Sequence, residues 1–254
     1  MKNKYNPLQN EKNLFSRWSD NFGEVYIEFI FALIFFITAG GLFYILVHFV
    51  IPEKENLIDS LSFYYVKPWI RNSNTEVAVF VSYFGSGLFL LPAYFYIIYY
   101  LLSRGRKTYA IFVFTVSMSG LLLGLVLKEL FQRPRPLHHM VSAGGYSFPS
   151  GHSLGGFIFS LLVIFLIWKL KNGRLNKYFL YFISAVLGIL IGFSRVYLHV
   201  HYATDVMGSF FVATGWFAFV YLLFILVYKN DLHEVAERYD EKPDLFEGNY
   251  DLYN

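Results

Sequence analysis

Residues 148–168 read FPSGHSLGGFIFSLLVIFLIW, a polar entrance of Ser150, Gly151 and His152 followed at once by an apolar run. A helix at a protein surface alternates polar and apolar faces, whereas a helix apolar all round is buried in a large core or in lipid. The rest of the chain selects lipid. Of its 254 residues 56% are hydrophobic and only 15% charged, and the mean hydropathy of +0.44 is too high for an ordinary soluble domain. A bilayer core about 30 Å thick asks for about 20 mainly apolar residues per helix. Six stretches meet that demand: Tyr26 to Val50, Val77 to Leu102, Tyr109 to Leu130, Ser153 to Leu170, Tyr178 to Phe193 and Val206 to Tyr228. The fifth is the shortest, and its helix is expected to continue into SRVYLHVHYATD, residues 194–205. The first begins too late and runs too long for a secretory signal, so it is expected to be a retained span. The fold class is therefore all-α, an integral membrane bundle of six transmembrane helices.

Orientation follows from the basic residues. If both termini are cytoplasmic, all of the 21 Lys and Arg lie on that side except Lys54, Lys67, Arg71, Lys128, Arg133, Arg135 and Arg195. The positive-inside rule favours this arrangement, and an even number of spans agrees with it. Four of those seven exceptions, Lys128, Arg133, Arg135 and Arg195, stand at the edges of apolar runs, as do His152, His201 and Asp205. In this topology all seven reach the external face, although they come from three separate stretches of sequence.

Two domains are expected, a six-helix membrane domain over residues 1–230 and an acidic, flexible cytoplasmic tail over 231–254. Residues 55–71, with several aromatics, suit either a short helix in the outer interface or a plain loop. Gly120 with Gly124, and Gly188 with Gly192, are spacings that let helices pack closely. The chain has no cysteine, which excludes disulfides and thiolate metal sites.

Three polar segments carry chemistry: KELFQRPRP from Lys128 to Pro136, PSGH from Pro149 to His152, and SRVYLHVHYATD from Ser194 to Asp205. Lys128 at a helix end and Arg135, returned through a proline-stiffened loop, are suited to share one polyanion. Ser150 reads as a helix N-cap that leaves the amides of Gly151 and His152 facing an anion at the positive end of the helix dipole. His201 and Asp205, four residues apart, are expected on one helix face, the carboxylate holding one ring nitrogen so that the other is a nucleophile. His152, from a different helix, is placed to be the acid that protonates a leaving oxygen, and Arg195 adds a third cation. Blander readings stand beside these. The cations could snorkel to the interface, the histidines could satisfy backbone carbonyls, and H-x-H-x-x-x-D could bind a metal. Three cations at one spot suit a phosphate better than a divalent ion.

The three segments resemble the signature K-x6-R-P, P-S-G-H and S-R-x5-H-x3-D of the type 2 phosphatidic acid phosphatase superfamily, in the same order. The resemblance implies that His201 is transiently phosphorylated with Asp205 orienting it, and that His152 serves as general acid and then as base for water. It also implies that Lys128, Arg135, Ser150, Gly151 and Arg195 hold the phosphate without metal or cofactor. Arg133, His138, His139 and His199 receive no role from it. The implied activity is a lipid phosphatase of the external membrane face, acting among membrane lipids and not on nucleic acid. Substrates of the phosphatidylglycerophosphate, phosphatidic acid or undecaprenyl diphosphate class are implied, in a membrane of bacterial cytoplasmic type. A phosphotransferase using the same phosphohistidine, and a non-catalytic lipid carrier or transporter, are the competing readings.

Overall fold

The computed structural model describes residues 7–51, 56–170 and 176–241, with side chains between 25 and 228. Lys2, Lys4, Lys54, Lys171, Arg174 and Lys242, all weighed for topology above, lie outside the described residues, as does the tail from 242 onward. All regular elements among the described residues are helices, with no strand. Its helices are α1 (Pro7–Ile45, extended by a π-helical turn Leu46–Val50), α2 (Leu57–Val66, followed by a 3-10 turn Lys67–Trp69), α3 (Asn72–Tyr83), α4 (Gly87–Ser103), α5 (Lys107–Phe131), α6 (Gly151–Leu170), α7 (Lys177–Tyr197) and α8 (Ala203–Glu241). Six segments are long and apolar enough to cross a membrane: Val25–Val50, Asn72–Ser103, Lys107–Phe131, Gly151–Leu170, Lys177–Tyr197 and Ala203–Tyr228.

One expectation needs correction. The second span is not one helix, because α3 stops at Tyr83 and α4 starts at Gly87. A β-carbon built on Gly85, inside this break, would stand 2.6 Å from the His152 carbonyl oxygen and 2.6 Å from Ile191 Cγ2. The break thus lets bare backbone rest against the first turn of α6. The fifth span continues into residues 194–205 as expected, through Ser194 to Tyr197. It ends at Tyr197, and His199 takes a left-handed conformation with φ of 54° that turns the chain back toward α8.

The choice left open for residues 55–71 resolves as a helix. Asn56 caps it by accepting from the Ile58 amide at 2.8 Å, while its Nδ2 donates to the Val50 carbonyl at 2.7 Å. The chain between α2 and α3 is tied to α7 by the buried Tyr197, whose hydroxyl donates to the Trp69 carbonyl at 3.1 Å and accepts from the Arg71 amide at 3.3 Å.

The chain forms two compact units, residues 34–220 and residues 1–33 with 221–254. In the second, the Tyr221 hydroxyl donates to Glu28 at 2.5 Å, giving a carboxylate within a membrane span a proton-bearing partner. In the first, α6 packs against α5, α7 and α4. Small residues permit this, as their spacing implied. A β-carbon on Gly120 would meet Ile158 at 2.5 Å, on Gly124 Leu154 at 2.6 Å, on Gly188 Ser160 at 2.8 Å, and on Gly192 both Phe157 of α6 at 3.3 Å and Val206 of α8 at 2.7 Å. Phe148, fully buried, lies between Phe43 and Phe131 with ring centroids 5.9 and 5.0 Å away and covers Gly208, anchoring the entrance of α6.

Backbone at the α3–α4 break has nowhere to retreat, since its neighbour is itself a carbonyl. Gly85→Ala should therefore cost about 1–3 kcal/mol by overpacking and reduce activity by displacing the start of α6. Gly87→Ala, with nothing within 4 Å of the added carbon, should be neutral. Thermal unfolding of the two variants in detergent checks the contrast, and equal melting temperatures would refute it.

Candidate active site

The end of α5 is set by Gln132, which adopts φ of 45° and donates its amide to the Lys128 carbonyl at 3.0 Å, a left-handed helix stop. Pro134 and Pro136 then exclude any return to helix. Lys128, in the last turn, points its Nζ at the Tyr146 carbonyl, 2.7 Å away. Arg135 is clamped by the loop that follows, its Nε and Nη2 donating to the carbonyls of Gly145 and Gly144 at 3.1 and 2.8 Å. Its Nη1 donates to the Val200 carbonyl at 2.8 Å and faces His201 Nε2 at 3.1 Å.

Ser150 stands immediately before α6, and its carbonyl accepts the first helical bond, from Leu154 at 2.8 Å. Its hydroxyl oxygen accepts from the Ser153 hydroxyl at 2.9 Å and, at a long 3.5 Å, from the Ser153 amide, which leaves its own proton to give. The carbonyl of Ser150 is also held by the Ser209 hydroxyl at 3.0 Å, so α8 fixes the start of α6. Gly151 is exposed, and a β-carbon there would meet only Lys128 Cε at 3.8 Å. Lys128 therefore stands beside the positive end of a helix. His152, half-buried, lies within Coulombic reach of Arg195, His201, Arg135 and Lys128.

His201 and Asp205 meet, but not along one helix face. His201 lies in the turn before α8, its amide bonded to the Arg195 carbonyl at 3.3 Å, and Asp205 lies in the first turn of α8. The left-handed His199 folds the imidazole back so that Nδ1 is 3.3 Å from Asp205 Oδ2. The tautomer follows from the neighbours. Arg135 can only donate, so Nε2 must accept and the ring proton must sit on Nδ1, directed at the carboxylate. Burial pulls the His201 pKa down to about 4 despite the hydrogen bond and charge of Asp205, which raise it. The imidazole is neutral at physiological pH, with its lone pair on Nε2.

Arg195, in the last turn of α7, is buried, with Nη1 donating to Ser82 Oγ at the end of α3 and Nε without a partner. A buried guanidinium N–H with no acceptor is costly, and an anionic oxygen would satisfy it. The structure thus brings together Lys128, Arg135, Ser150, Gly151, His152, Arg195, His201 and Asp205. His138 and His139 stay exposed. His199 packs on Phe63 at 4.6 Å, with Nε2 buried and unpaired. Sequence reasoning missed three participants. Ser82 carries no distinguishing signal in an apolar helix. Asp59 and Thr204 join the unassigned Arg133 in a buried network: Arg133 reaches Asp59 at 2.8 Å, Asp205 at 2.6 Å and Thr204 at 2.7 Å. A lone carboxylate in LIDSLSFYYV was the available sign of Asp59.

The depressed His201 value has a stability consequence with a definite sign. The unfolded chain binds a proton at an ordinary imidazole pKa of about 6.5, whereas the folded chain binds it only near 4. Stability is full above about 6.5 and is lost as pH falls toward 4, by on the order of 3 kcal/mol for this group. Burial lowers His199 in the same direction. Melting temperature in detergent should fall between about pH 7 and pH 5, and less steeply in His201→Gln. Parallel curves would contradict the assignment.

Known proteins are similar to this chain in sequence and in fold. The profile of the PAP2 superfamily matches residues 108–228, a span that encloses all three polar segments. Phosphatidylglycerophosphatase B of Bacillus subtilis (strain 168) is 34% identical over 183 residues, covering 69% of this chain and 81% of the relative. Undecaprenyl-diphosphatase BcrC of the same organism is 27% identical over 117 residues, 44% of this chain and 55% of the relative. The crystal structure of a transmembrane PAP2-type phosphatidylglycerolphosphate phosphatase from Bacillus subtilis superposes with a TM-score of 0.62 at 29% identity, covering 80% of this chain and 96% of that one. With the membrane helices, the polar segments and a relative matched over most of its length all in accord, the chain belongs to the PAP2 superfamily.

Proposed function

We propose that this PAP2-superfamily lipid phosphatase removes the terminal phosphate of a lipid phosphate or diphosphate through a phosphohistidine on His201, without metal, at the external membrane face. The observation that carries the reading is the line Arg135–His201–Asp205, which sets one imidazole tautomer and keeps a neutral lone pair among three cations. In the first step Nε2 attacks phosphorus, the bond from phosphorus to the lipid oxygen breaks, and His152 gives that oxygen its proton. Asp205 stabilises the positive charge that grows on the ring. In the second step His152 takes a proton from water, the hydroxide attacks phosphorus, and the P–N bond breaks to release phosphate. Lys128, Arg135, Arg195, the Ser150 hydroxyl and the amides at the start of α6 stabilise the equatorial oxygens. Three cations at this spot favour an anion and repel a divalent ion.

Depth supports a lipid as the substrate class. The polar residues lie at the ends of α5, α6 and α7 and the start of α8, where lipid headgroups lie. An open apolar cavity of about 560 Å³ is lined by Ser62, Tyr65, Val66, Trp69, Phe193, Val196 and Ala203, from α2, the turn after it, α7 and the start of α8. The names of the relatives support phosphatidylglycerophosphate and undecaprenyl diphosphate as candidates beside phosphatidic acid.

Purified protein in lipid nanodiscs should release inorganic phosphate from a long-chain lipid phosphate with far higher kcat/KM than from a soluble sugar phosphate, each buried CH₂ being worth about 0.8 kcal/mol. His201→Ala should abolish release, and Asp205→Asn should lower it by roughly 100 to 10,000-fold. A fully active His201→Ala enzyme would end the phosphohistidine reading, and equal turnover of the soluble ester would end the lipid one. Sidedness is checked by single cysteines in this cysteine-free chain. Arg104→Cys should react with an impermeant thiol reagent only from the cytoplasmic side and His139→Cys only from outside, and reversed labelling would place the site on the inner face.

A further inference from the structure

Arg133 lies outside the residues given a role above, yet it is among the most completely paired cations in the chain. Its side chain is 13% exposed, and its guanidinium bridges two carboxylates from distant parts of the sequence: Nη2 to Asp59 Oδ2 at 2.8 Å and Nη1 to Asp205 Oδ1 at 2.6 Å. It also lies over the Tyr202 ring at 4.2 Å. Asp59, on α2, is itself held by Thr204, whose amide donates to Oδ1 at 2.9 Å and whose hydroxyl donates to Oδ2 at 2.8 Å. On the other carboxylate, Asp205 Oδ2 receives the Tyr202 amide at 3.0 Å and faces His201 Nδ1 at 3.3 Å.

We propose that Arg133 and Asp59 are positioning residues for the reaction: Arg133 locks Asp205 in the orientation that directs the His201 lone pair at phosphorus, and Asp59 locks Arg133. The proposal rests on the reading of His201 as nucleophile. A carboxylate held only through one oxygen can rotate about its own axis, and the imidazole bond at 3.3 Å is too long to stop it. The short charge-assisted bond to Oδ1 supplies the second point that fixes the plane. Asp59 and Thr204 do the same for the guanidinium, which would otherwise be free to turn toward the bound phosphate and join Arg135. The two arginines of one tetrapeptide, Arg133-Pro134-Arg135-Pro136, thus address the two nitrogens of one imidazole. Arg133 acts on Nδ1 through Asp205, and Arg135 acts on Nε2 directly.

The test uses the full chain in nanodiscs with dioleoyl phosphatidic acid as the probe and phosphate release as the readout. Arg133→Gln, Arg133→Lys and Asp59→Asn are each made alone and together with Asp205→Asn. Melting temperature is recorded for each, and the His201 tautomer is read from ¹⁵N-histidine spectra. The expected result for the single variants is a kcat loss of about 10 to 100-fold per folded protein with KM little changed, the range seen for outer partners that orient a histidine. Arg133→Lys, which keeps charge but loses the fork, should recover melting temperature more than kcat. In the Asp205→Asn background the further loss should shrink to about 2-fold or less, because residues acting through one group are not additive. His201 should shift from a single Nδ1–H form to a mixture of tautomers. Losses that multiply in the Asp205→Asn background, an unchanged tautomer, or unchanged kcat per folded protein would overturn the proposal. If Arg133→Gln does not fold, the near-isosteric Asp59→Asn carries the same comparison. His201→Ala separates the two readings: if it is inactive while Asp59 and Arg133 variants turn over normally, only the positioning role fails, and if it is active, both fail.

Discussion

A carboxylate that water cannot reach must find hydrogen-bond donors within the protein, or it will not stay ionised. Asp205 has no exposed surface, and its donors come from Arg133 after α5, from the Tyr202 amide and from His201 in the turn before α8. Satisfying that single group brings the α5–α6 loop and the α7–α8 turn to one point. Asp59 extends the demand to α2, since it is buried in turn and draws on Arg133 and Thr204. The polar end of the bundle is held by charge-assisted hydrogen bonds whose desolvation leaves no cheap alternative arrangement.

Close helix packing lets those polar ends meet. Lipid offers no hydrophobic drive between helices, so contact depends on shape. Glycines on α5 and α7 receive Ile158, Leu154 and Ser160 of α6, and Gly85 admits its first turn. The start of α6, with Ser150 under a hydroxyl of α8, is thereby fixed on several sides. A helix N-terminus is useful to an anion only if it does not move, and here the apolar part of the molecule supplies that rigidity.

Hydropathy made the six spans legible because lipid dictates both length and composition, and the three polar segments stood out because each interrupts an apolar run. What stayed hidden depends on distance or on backbone geometry. Arg133 was visible but without a role, since its partner Asp59 is 74 residues away. The break in the second span was masked because Gly85, Ser86 and Gly87 are too few to lower the hydropathy of the long apolar run around them. His201 and Asp205 were rightly paired and wrongly placed on one helix, because periodicity cannot report that His199 takes a positive φ. Ser82, one hydroxyl among apolar neighbours, acquires meaning only when the fold sets Arg195 beside it.

The hydrogen bond from Arg135 to His201 Nε2 bears on the order of events at this centre. A lone pair that accepts a hydrogen bond is not free to form a bond to phosphorus, so in the proposed phosphohistidine mechanism attack by Nε2 begins when that donor is drawn elsewhere. A phosphate oxygen is a stronger acceptor for a guanidinium than a neutral imidazole is. Under that proposal an approaching anion unmasks the lone pair by its own charge, while an uncharged electrophile of similar size leaves the mask in place. On the proposed mechanism, discrimination of this kind would operate on reactivity rather than on fit, and it would shield the histidine from neutral reagents dissolved in the membrane.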